Sequence, residues 1–498
     1  MGAVSISEMR AAEQAACSNG WTEEDLLNLA GERLGLALGR YFSRPGTAIA
    51  YAGKGHNAGD ALVALRVLRD RFGWEIVARH AFPIDDWAPL SRRKWHELGL
   101  DAPLGELPAW RDLKRPLVLL DGLLGIGARG AIRDPLLPLA REMEWLRQNA
   151  GARVASVDVP SGVDADSGQI PAGSVTADVT FMIGSAKQGL LTGAAAGAAG
   201  ALALVPVEPI GTDGRSDLQL ICPQSLAFGK SPRPFDFHKG KAGRVALLAG
   251  SESYAGAAVI AATGALRGGA GLVTLHVPPA AYGIIAPKCP PEVIVRKFTS
   301  AGELLESNHD SLVIGCGIGP LDEPDATEVL HVISNSTVPT VVDADALNLV
   351  SRRNMQRIFS PLHVLTPHPG EFQRLAPQLA SQPRESAARS FADACPATLL
   401  LKGCRTIVTS KGHPLWCNAT GSPGMATGGQ GDLLAGVIGA LLAFGDPPHE
   451  AACLSAWVCG RAAEIAMQDG FASEESLTAR DVARHLGAAF LDWKTSVR

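Results

Sequence analysis

Two patterns alternate along the chain. Short runs of apolar, often β-branched residues recur, and longer stretches with apolar positions three and four apart lie between them. The first half opens with two helical patterns, at about residues 6–16 and 22–41. The runs TAIAYA (47–52), EIVARHAF (75–82), LVLLD (117–121), RVASVDV (153–159), VTFMI (179–183) and ALALVPV (201–207) follow, with helical stretches at 58–71 and 135–149. Apolar strands alternating with helices predict a parallel sheet covered on both faces. Ligands of such sheets bind at the carboxyl ends of the strands. A second series contains RVALLAG (244–250), GLVTLHV (271–277), SLVIGCG (311–317), VPTVVDADAL (338–347), HVLTPHPGEF (363–372), ATLLLKG (397–403) and TIVTS (406–410). Helical patterns at 432–443, 449–468 and 478–490 close the chain. Between the series the texture turns rich in Pro, Gly and charge. A boundary near 211–231 is expected, giving α/β domains at 1–215 and 225–498. No internal repeat links them. The uncharged stretch 188–207 is about as long as a membrane span, but its Ala/Gly content reads as a loop entering a buried strand, ALALVPV.

Composition narrows the class. A chain of 498 residues, 46% apolar and 19% charged, holds two good cores. A net charge of −5 argues against a general nucleic-acid binder, so no nucleic-acid partner is expected. The nine cysteines show no metal-ligand spacing, and MGAVSISEMR has no basic region before an apolar run. A reduced, cytoplasmic protein without a membrane partner is expected, with a homo-oligomer as its assembly.

Chemistry gathers at strand ends. After the first strand, AGKGHNAGDALVALRVL sets Gly53, Gly55 and Gly59 before a helix. Its N-terminal N–H groups suit an anion such as a nucleotide phosphate. A plain strand-to-helix turn with Asp60 on the surface is the bland alternative. LVLLDGLLGIGARG puts Asp121 at another strand end, and RVASVDVPSG does the same for Asp158 and Ser161. With these strands adjacent, Asn57, Asp121, Asp158 and Ser161 converge. Their oxygens suit a hard cation and their acids suit proton transfer.

The second half carries MATGGQGDLLAGVIGALLA, residues 425–443, where a glycine turn precedes Asp432 and an apolar helix. An aspartate there is an ordinary N-cap in the bland reading. A kinase site needs the same layout: Asp432 takes a proton from a hydroxyl, N–H groups around Gly429 and Gly431 stabilise a moving phosphoryl group, and Mg²⁺ bridges phosphates. Other strand ends supply Ser251 and Tyr254, the turn GCGIGP, Asp343, Asp345 and Asn348, His368 with Glu371, and Lys402 with Gly403. The small-residue stretch 255–270 suits close approach to a sheet or flat ligand, or tight packing alone.

The order MRAAEQAA, KGHNAGD, LDGLLGIGARG, VDVPSGVDADSG, FMIGSAKQGLLTG resembles the NAD(P)H-hydrate epimerase domain. The resemblance implies a Rossmann-like three-layer sandwich that interconverts R and S hydrates of NADH and NADPH, called NADHX and NADPHX. It implies potassium at Asn57, Asp121 and Ser161. It implies substrate contacts at His56, Asn57, Ala58, Gly59 and Asp60, at Gly125, Ile126, Gly127, Ala128, Arg129, Gly130 and Ala131, and at Asp158, also taken as catalytic. The family's loop usually reads Asn-Asn-Gly-Gly-Asp-Gly; here it is His56 to Ala61. If Ala58 needed a positive φ, it would be strained by about 1–2 kcal/mol.

The set HKGKAGRV, YAGAA, GCGIGP, DADALN, TPHPGEF, LKG, TGGQGD resembles the ADP-dependent NAD(P)H-hydrate dehydratase, a ribokinase-like α/β family. That family phosphorylates the hydrate's own hydroxyl, and phosphate then leaves. The resemblance implies ADP, with ATP as a possible donor, at Lys402, Gly403, Cys404, Arg405, Thr406 and Gly431. It implies hydrate contacts at Ala257, Gly319, His368 and the catalytic Asp432. The joint reading is a two-activity repair enzyme for nicotinamide nucleotides. Its rivals are a kinase for a vitamin precursor or sugar, and a dehydratase whose first half is only a binding module.

Overall fold

The computed structural model describes residues 1–100, 109–211, 216–226 and 233–495. The chain divides into two compact units, Met1–Leu218 and Gln219–Arg498. Much of the boundary region expected at 211–231 lies outside the described residues.

Six strands form the first sheet: β1 (Thr47–Ala52), β2 (Glu75–His80), β3 (Leu117–Gly122), β4 (Arg153–Val157), β5 (Val179–Ile183) and β6 (Ala201–Val205). Their order is β2-β1-β3-β4-β5-β6, parallel throughout. Strand side chains alternate between faces, so each strand feeds two cores. Ala48, Ala50, Val118, Leu120, Ala155 and Val157 pack with Leu34, Leu38, Leu62 and Leu65 of the helices Glu23–Tyr41 and His56–Phe72. Ile49, Tyr51, Leu117, Leu119 and Val154 pack with Leu139, Met143 and Leu146 of the helix Leu137–Ala150. The result is the three-layer sandwich. The strand expected to be buried, β6, is an edge strand, half-buried over most of its length.

The second sheet holds β7 (Leu218–Ile221), β8 (Arg244–Leu248), β9 (Leu272–Val277), β10 (Val293–Lys297), β11 (Ser311–Ile314), β12 (Thr340–Val342), β13 (His363–Leu365), β14 (Thr398–Leu401), β15 (Ile407–Thr409) and β16 (Leu415–Asn418). Their order is β10-β9-β8-β11-β12-β13-β14-β15-β16-β7. The pairs from β10 to β14 are parallel; β14–β15 and β15–β16 are antiparallel. The link between β14 and β15 is too short for a crossover, so the chain turns back as a hairpin. Two expected strands are shorter than the apolar runs suggested. β12 stops at Val342, and Asp343 caps the helix Ala344–Arg352. β13 stops at Leu365, because Pro369 starts the helix Pro369–Leu375.

The small-residue helix Ala255–Arg267 packs against the helix Gln430–Phe444. A Cβ at Gly436 would come within 2.0 Å of the Ala261 carbonyl oxygen, so close helix packing accounts for these small residues. Among the described residues, no helix is long and apolar enough to cross a membrane.

The strand β7 lies N-terminal to the domain start expected at 225, yet Leu220, Ile221 and Cys222 are buried and Ile221 belongs to the second core. We propose that the second unit folds alone if it begins before β7. A fragment of residues 217–498 should exceed one of residues 225–498 in stability by about 3–5 kcal/mol, the burial of two or three apolar side chains. Urea unfolding of both checks this, and equal midpoints would contradict it.

Candidate active sites

The first site lies at the carboxyl ends of β1, β3 and β4. Asp121, near the end of β3, is fully buried. Its carboxylate accepts from Ser156 Oγ at 2.9 Å, Ser161 N at 2.8 Å and Ser161 Oγ at 2.6 Å. Burial pushes this carboxyl up, and the serine hydrogen bonds pull the other way. Ser161 Oγ also accepts from Leu124 N at 2.9 Å, while the Leu124 carbonyl accepts from Asn57 Nδ2 at 2.8 Å. Asn57, Asp121 and Ser161 are thus brought together through Leu124.

Asp158 belongs to a different group. It follows β4 with φ 68°, a left-handed conformation strained for a non-glycine residue. Its Oδ1 accepts from Ile183 N at 2.8 Å and from the ammonium of Lys187. Lys187 is fully buried and also donates to the Ile183 carbonyl at 2.6 Å. This pair holds Asp158 in place. Asp60 is half-buried and lies in the helix His56–Phe72, not on an exposed turn. Burial, then the charges of Asp158 and Glu13, raise its carboxyl well above the usual range, against Lys187. Glu13, on the helix Ile6–Ser18, is raised by burial and by Asp158.

The segment His56–Asp60 is the first turn of that helix, with Gly55 as its N-cap. Ala58 therefore sits in helical backbone, and the strain considered for a positive φ does not arise. Gly125 packs on Asn57, since a Cβ there would lie 3.4 Å from Asn57 Cβ. Gly127 lies beside Arg10, whose Nη2 would be 2.9 Å from an added Cβ. The loop of residues 125–131, which also carries Ile126, Ala128, Arg129, Gly130 and Ala131, thus meets the Arg10 guanidinium at Gly127. Sequence reasoning missed Arg10, Glu13 and Lys187. The one signal for Lys187 was a lysine four positions after the apolar run VTFMI, past Gly184, Ser185 and Ala186.

The second site lies at the carboxyl ends of β11 to β14. Asp432 is not the helix cap. The helix Gln430–Phe444 is capped by Gly429 at φ 91°, which puts Asp432 at its third residue. Burial, then the Asp343 charge, pushes the Asp432 carboxyl up to about 6, with Cys316 and Lys402 opposing. Ligand atoms of Cys316, Asp343 and Asp432 lie within 4.8 Å of one another. Asp343 Oδ1 accepts from Thr366 Oγ1 at 2.8 Å and Lys402 Nζ at 2.9 Å. Burial pushes the Lys402 ammonium down, but Asp343 and Glu371 outweigh it and hold it above its usual range. A Cβ at Gly431 would lie 3.2 Å from Lys402 Nζ, so the start of the helix and the ammonium are close neighbours and a larger side chain there would crowd it.

His368 caps the helix Pro369–Leu375: its Nδ1 accepts from Gly370 N at 3.0 Å and Glu371 N at 3.3 Å. Glu371 Oε2 returns to His368 N at 2.8 Å, and the His368 ring is half exposed. Gly319 N donates to Asp345 Oδ2 at 2.9 Å. Ala257 lies against Gly317, whose added Cβ would come 2.7 Å from Ala257 Cβ. Gly403 and Cys404 are exposed, while Arg405 is buried with φ 56°. Asp432, Lys402 and Gly431 are brought together, and Ala257 and Gly319 share the neighbouring wall. Missed from sequence were the roles of Cys316 and Thr366 as partners of Asp343.

The arrangement pairs a half-buried carboxylate with an ammonium and a helix start, equipment for deprotonating a hydroxyl beside a moving phosphoryl group. The family pattern described as NAD(P)H-hydrate dehydratase matches residues 245–485, and that of the YjeF-related protein N-terminus matches residues 23–189. The chain is 34% identical to a bifunctional NAD(P)H-hydrate repair enzyme Nnr of Gloeobacter violaceus, over 92% of this chain and 91% of that one. It is 32% identical to the protein of the same name from Methanopyrus kandleri, over 97% and 95%. Among solved structures, a ribokinase-like superfamily protein of Enterococcus faecalis is 26% identical and covers 56% of this chain and 96% of its own, with a TM-score of 0.50.

Proposed function

Since the chain belongs to the bifunctional NAD(P)H-hydrate repair enzyme family, we propose that its first unit epimerises NADHX and NADPHX and its second dehydrates the S form with ADP or ATP. The observation that carries this reading is the meeting of Asp432, Lys402 Nζ and Gly431 at one helix start. In the second unit, Asp432 takes the proton of the hydrate's C6 hydroxyl. That oxygen attacks the terminal phosphorus of the donor, leaving AMP from ADP. Lys402 and the N–H groups at the helix start hold the transferring charge. The ring nitrogen's lone pair then expels phosphate, a better leaving group than hydroxide, and loss of a ring proton restores the double bond. The sum is hydrate plus ADP giving dinucleotide, AMP, phosphate and a proton. His368, Gly319 and Ala257 line the hydrate side; Lys402 to Thr406 receive the nucleotide.

Magnesium is tested by its donors. It requires oxygen ligands, but Cys316 and the Lys402 ammonium occupy the sides of Asp343. The set suits Mg²⁺ carried on the nucleotide's phosphates, with Glu371 and Asp432 as the available carboxylates. There it would neutralise phosphate charge.

In the first unit, protonated Asp60 donates to the C6 hydroxyl. Water leaves, the ring nitrogen carries the charge as an iminium, and water adds to the opposite face and gives up a proton to solvent, from which Asp60 is reprotonated. Asp158, pinned by Lys187, stabilises the cation. Arg10 and the loop of Gly127 suit the substrate's phosphates. Asn57 Oδ1, Asp121, Ser161 Oγ and the Leu124 carbonyl can supply oxygen ligands, an ion there taking the place of the Asn57 Nδ2 donor on that carbonyl. That fits potassium, which would fix the loop between β3 and its following turn. R/S interconversion should fall at least about tenfold when K⁺ is replaced by tetramethylammonium, a loss of about 1.4 kcal/mol of barrier stabilisation. Chiral separation of the hydrates measures this, and an unchanged rate would remove potassium from the reading. The setting we propose is a cytoplasmic homo-oligomer. All nine cysteines are among the described residues and none is in a disulfide, which supports a reducing compartment.

A further inference from the structure

The turn between β14 and β15 owes its shape to a residue outside it. Arg384 begins the helix Arg384–Ala394. Its Nη1 donates to the carbonyls of Cys404 at 2.7 Å and Arg405 at 3.0 Å. Its Nη2 donates to those of Leu401 at 2.7 Å and Lys402 at 3.1 Å. A Cβ at Gly403 would lie 3.0 Å from the same Nη2, so the guanidinium fills the inside of the turn. Arg384 Nε is buried without an acceptor among the described residues, so the fork of the two terminal nitrogens holds the side chain.

Two consequences follow. Four carbonyls, those of Leu401, Lys402, Cys404 and Arg405, turn inward to one cation, while that of Gly403 accepts from Thr406 Oγ1 at 3.0 Å, so the N–H groups at the tip are left to face outward. Among the described residues, the Gly403 and Cys404 N–H groups have no acceptor. The second concerns charge. No ion pair cancels Arg384 among the described residues, so its positive charge stays beneath the turn. Burial lowers its pKa, and a guanidinium is not deprotonated in proteins. Both consequences favour an anion on the outer face, beside Lys402.

We propose that Arg384 is a positioning residue for the nucleotide: it shapes the turn Lys402–Thr406 into a phosphate-binding nest while touching no substrate itself. This rests on the reading of that turn as the nucleotide site. A structural residue would affect both substrates alike, whereas this role is confined to one.

The test uses the full chain with Arg384→Ala, Arg384→Lys and Lys402→Met, and measures KM for ADP and for the hydrate separately. Arg384→Ala should raise KM for ADP about tenfold or more while the hydrate KM stays within about twofold. Arg384→Lys, which keeps the charge but loses the fork, should fall between. Low-millimolar guanidinium ion should lower the ADP KM of Arg384→Ala and leave that of Lys402→Met unchanged. Equal movement of both KM values, or of neither, would overturn the proposal. If Arg384→Ala does not fold, Arg384→Lys alone must show the ADP-selective change. If Lys402→Met weakens ADP and the Arg384 variants do not, only this proposal falls; if Lys402→Met leaves ADP binding intact, the nucleotide reading falls with it.

Discussion

Asp432→Asn should lower the dehydration rate by about 10²–10⁴-fold, some 3–5 kcal/mol of barrier, without lowering the melting temperature. Asparagine keeps the shape but cannot accept the hydroxyl proton. The stability half of the prediction follows from linkage. The Asp432 carboxyl is raised from 3.8 to about 6 in the fold. The neutral form's stabilisation is therefore complete below the unfolded value and is lost as pH rises through about 6. Above that, the charged carboxylate costs stability that asparagine does not, so the variant should match or exceed the parent by about 1–2 kcal/mol. The residue is not the helix cap, so no capping bond is forfeited. In the parent, kcat/KM for dehydration should fall about tenfold per unit below pH 6, reporting the base in the free enzyme. Dehydration at the parent rate would make another group the base, and a collapse in melting temperature would make Asp432 structural.

The two acids of the first site should separate. Asp60→Asn should cost epimerisation about 10²–10³-fold without lowering stability, because burial and the Asp158 and Glu13 charges already disfavour the charged carboxylate that the amide removes. Asp158→Asn leaves the buried Lys187 ammonium without its counter-charge. A broken buried pair costs about 3–5 kcal/mol, on the order of 10 °C in melting temperature for a unit of this size. With Asp60 acting in protonated form, interconversion should also decline as pH rises through its raised pKa. Differential scanning calorimetry and chiral analysis of both variants check this. Equal stability losses, or a fast Asp60→Asn enzyme, would contradict the assignment.

What could be read in advance followed from local chemistry. The strands of the first sheet were legible because each is a short apolar run ended by glycine, proline or a helix pattern. The strand β10 was not, because VIVRK lies at a sheet edge with much of its length exposed. β7 and β16 are four residues each and too short for a periodic signal. Asp121, Asp158, Lys402 and Asp432 stood out at strand ends or glycine turns. Their partners did not. Lys187 meets Asp158 from 29 positions away and Lys402 meets Asp343 from 59, distances that only the folded sheet closes. The assignment of Asp432 as a possible cap failed for a related reason: Gly429, two residues before Gly431, takes the left-handed conformation that starts the helix. Ala58 shows the reverse, a departure in sequence that the helical backbone absorbs.

The central claim is that this kinase-like site makes a phosphorylated hydrate that does not persist. The most direct measurement incubates the full chain with mixed NADH hydrates, Mg²⁺, K⁺ and ADP, and follows AMP, phosphate and the near-ultraviolet absorbance of the dihydronicotinamide together. We expect one AMP and one phosphate for each NADH restored, with both R and S hydrates consumed. A stable phosphorylated hydrate, or AMP formed without NADH, would contradict the account.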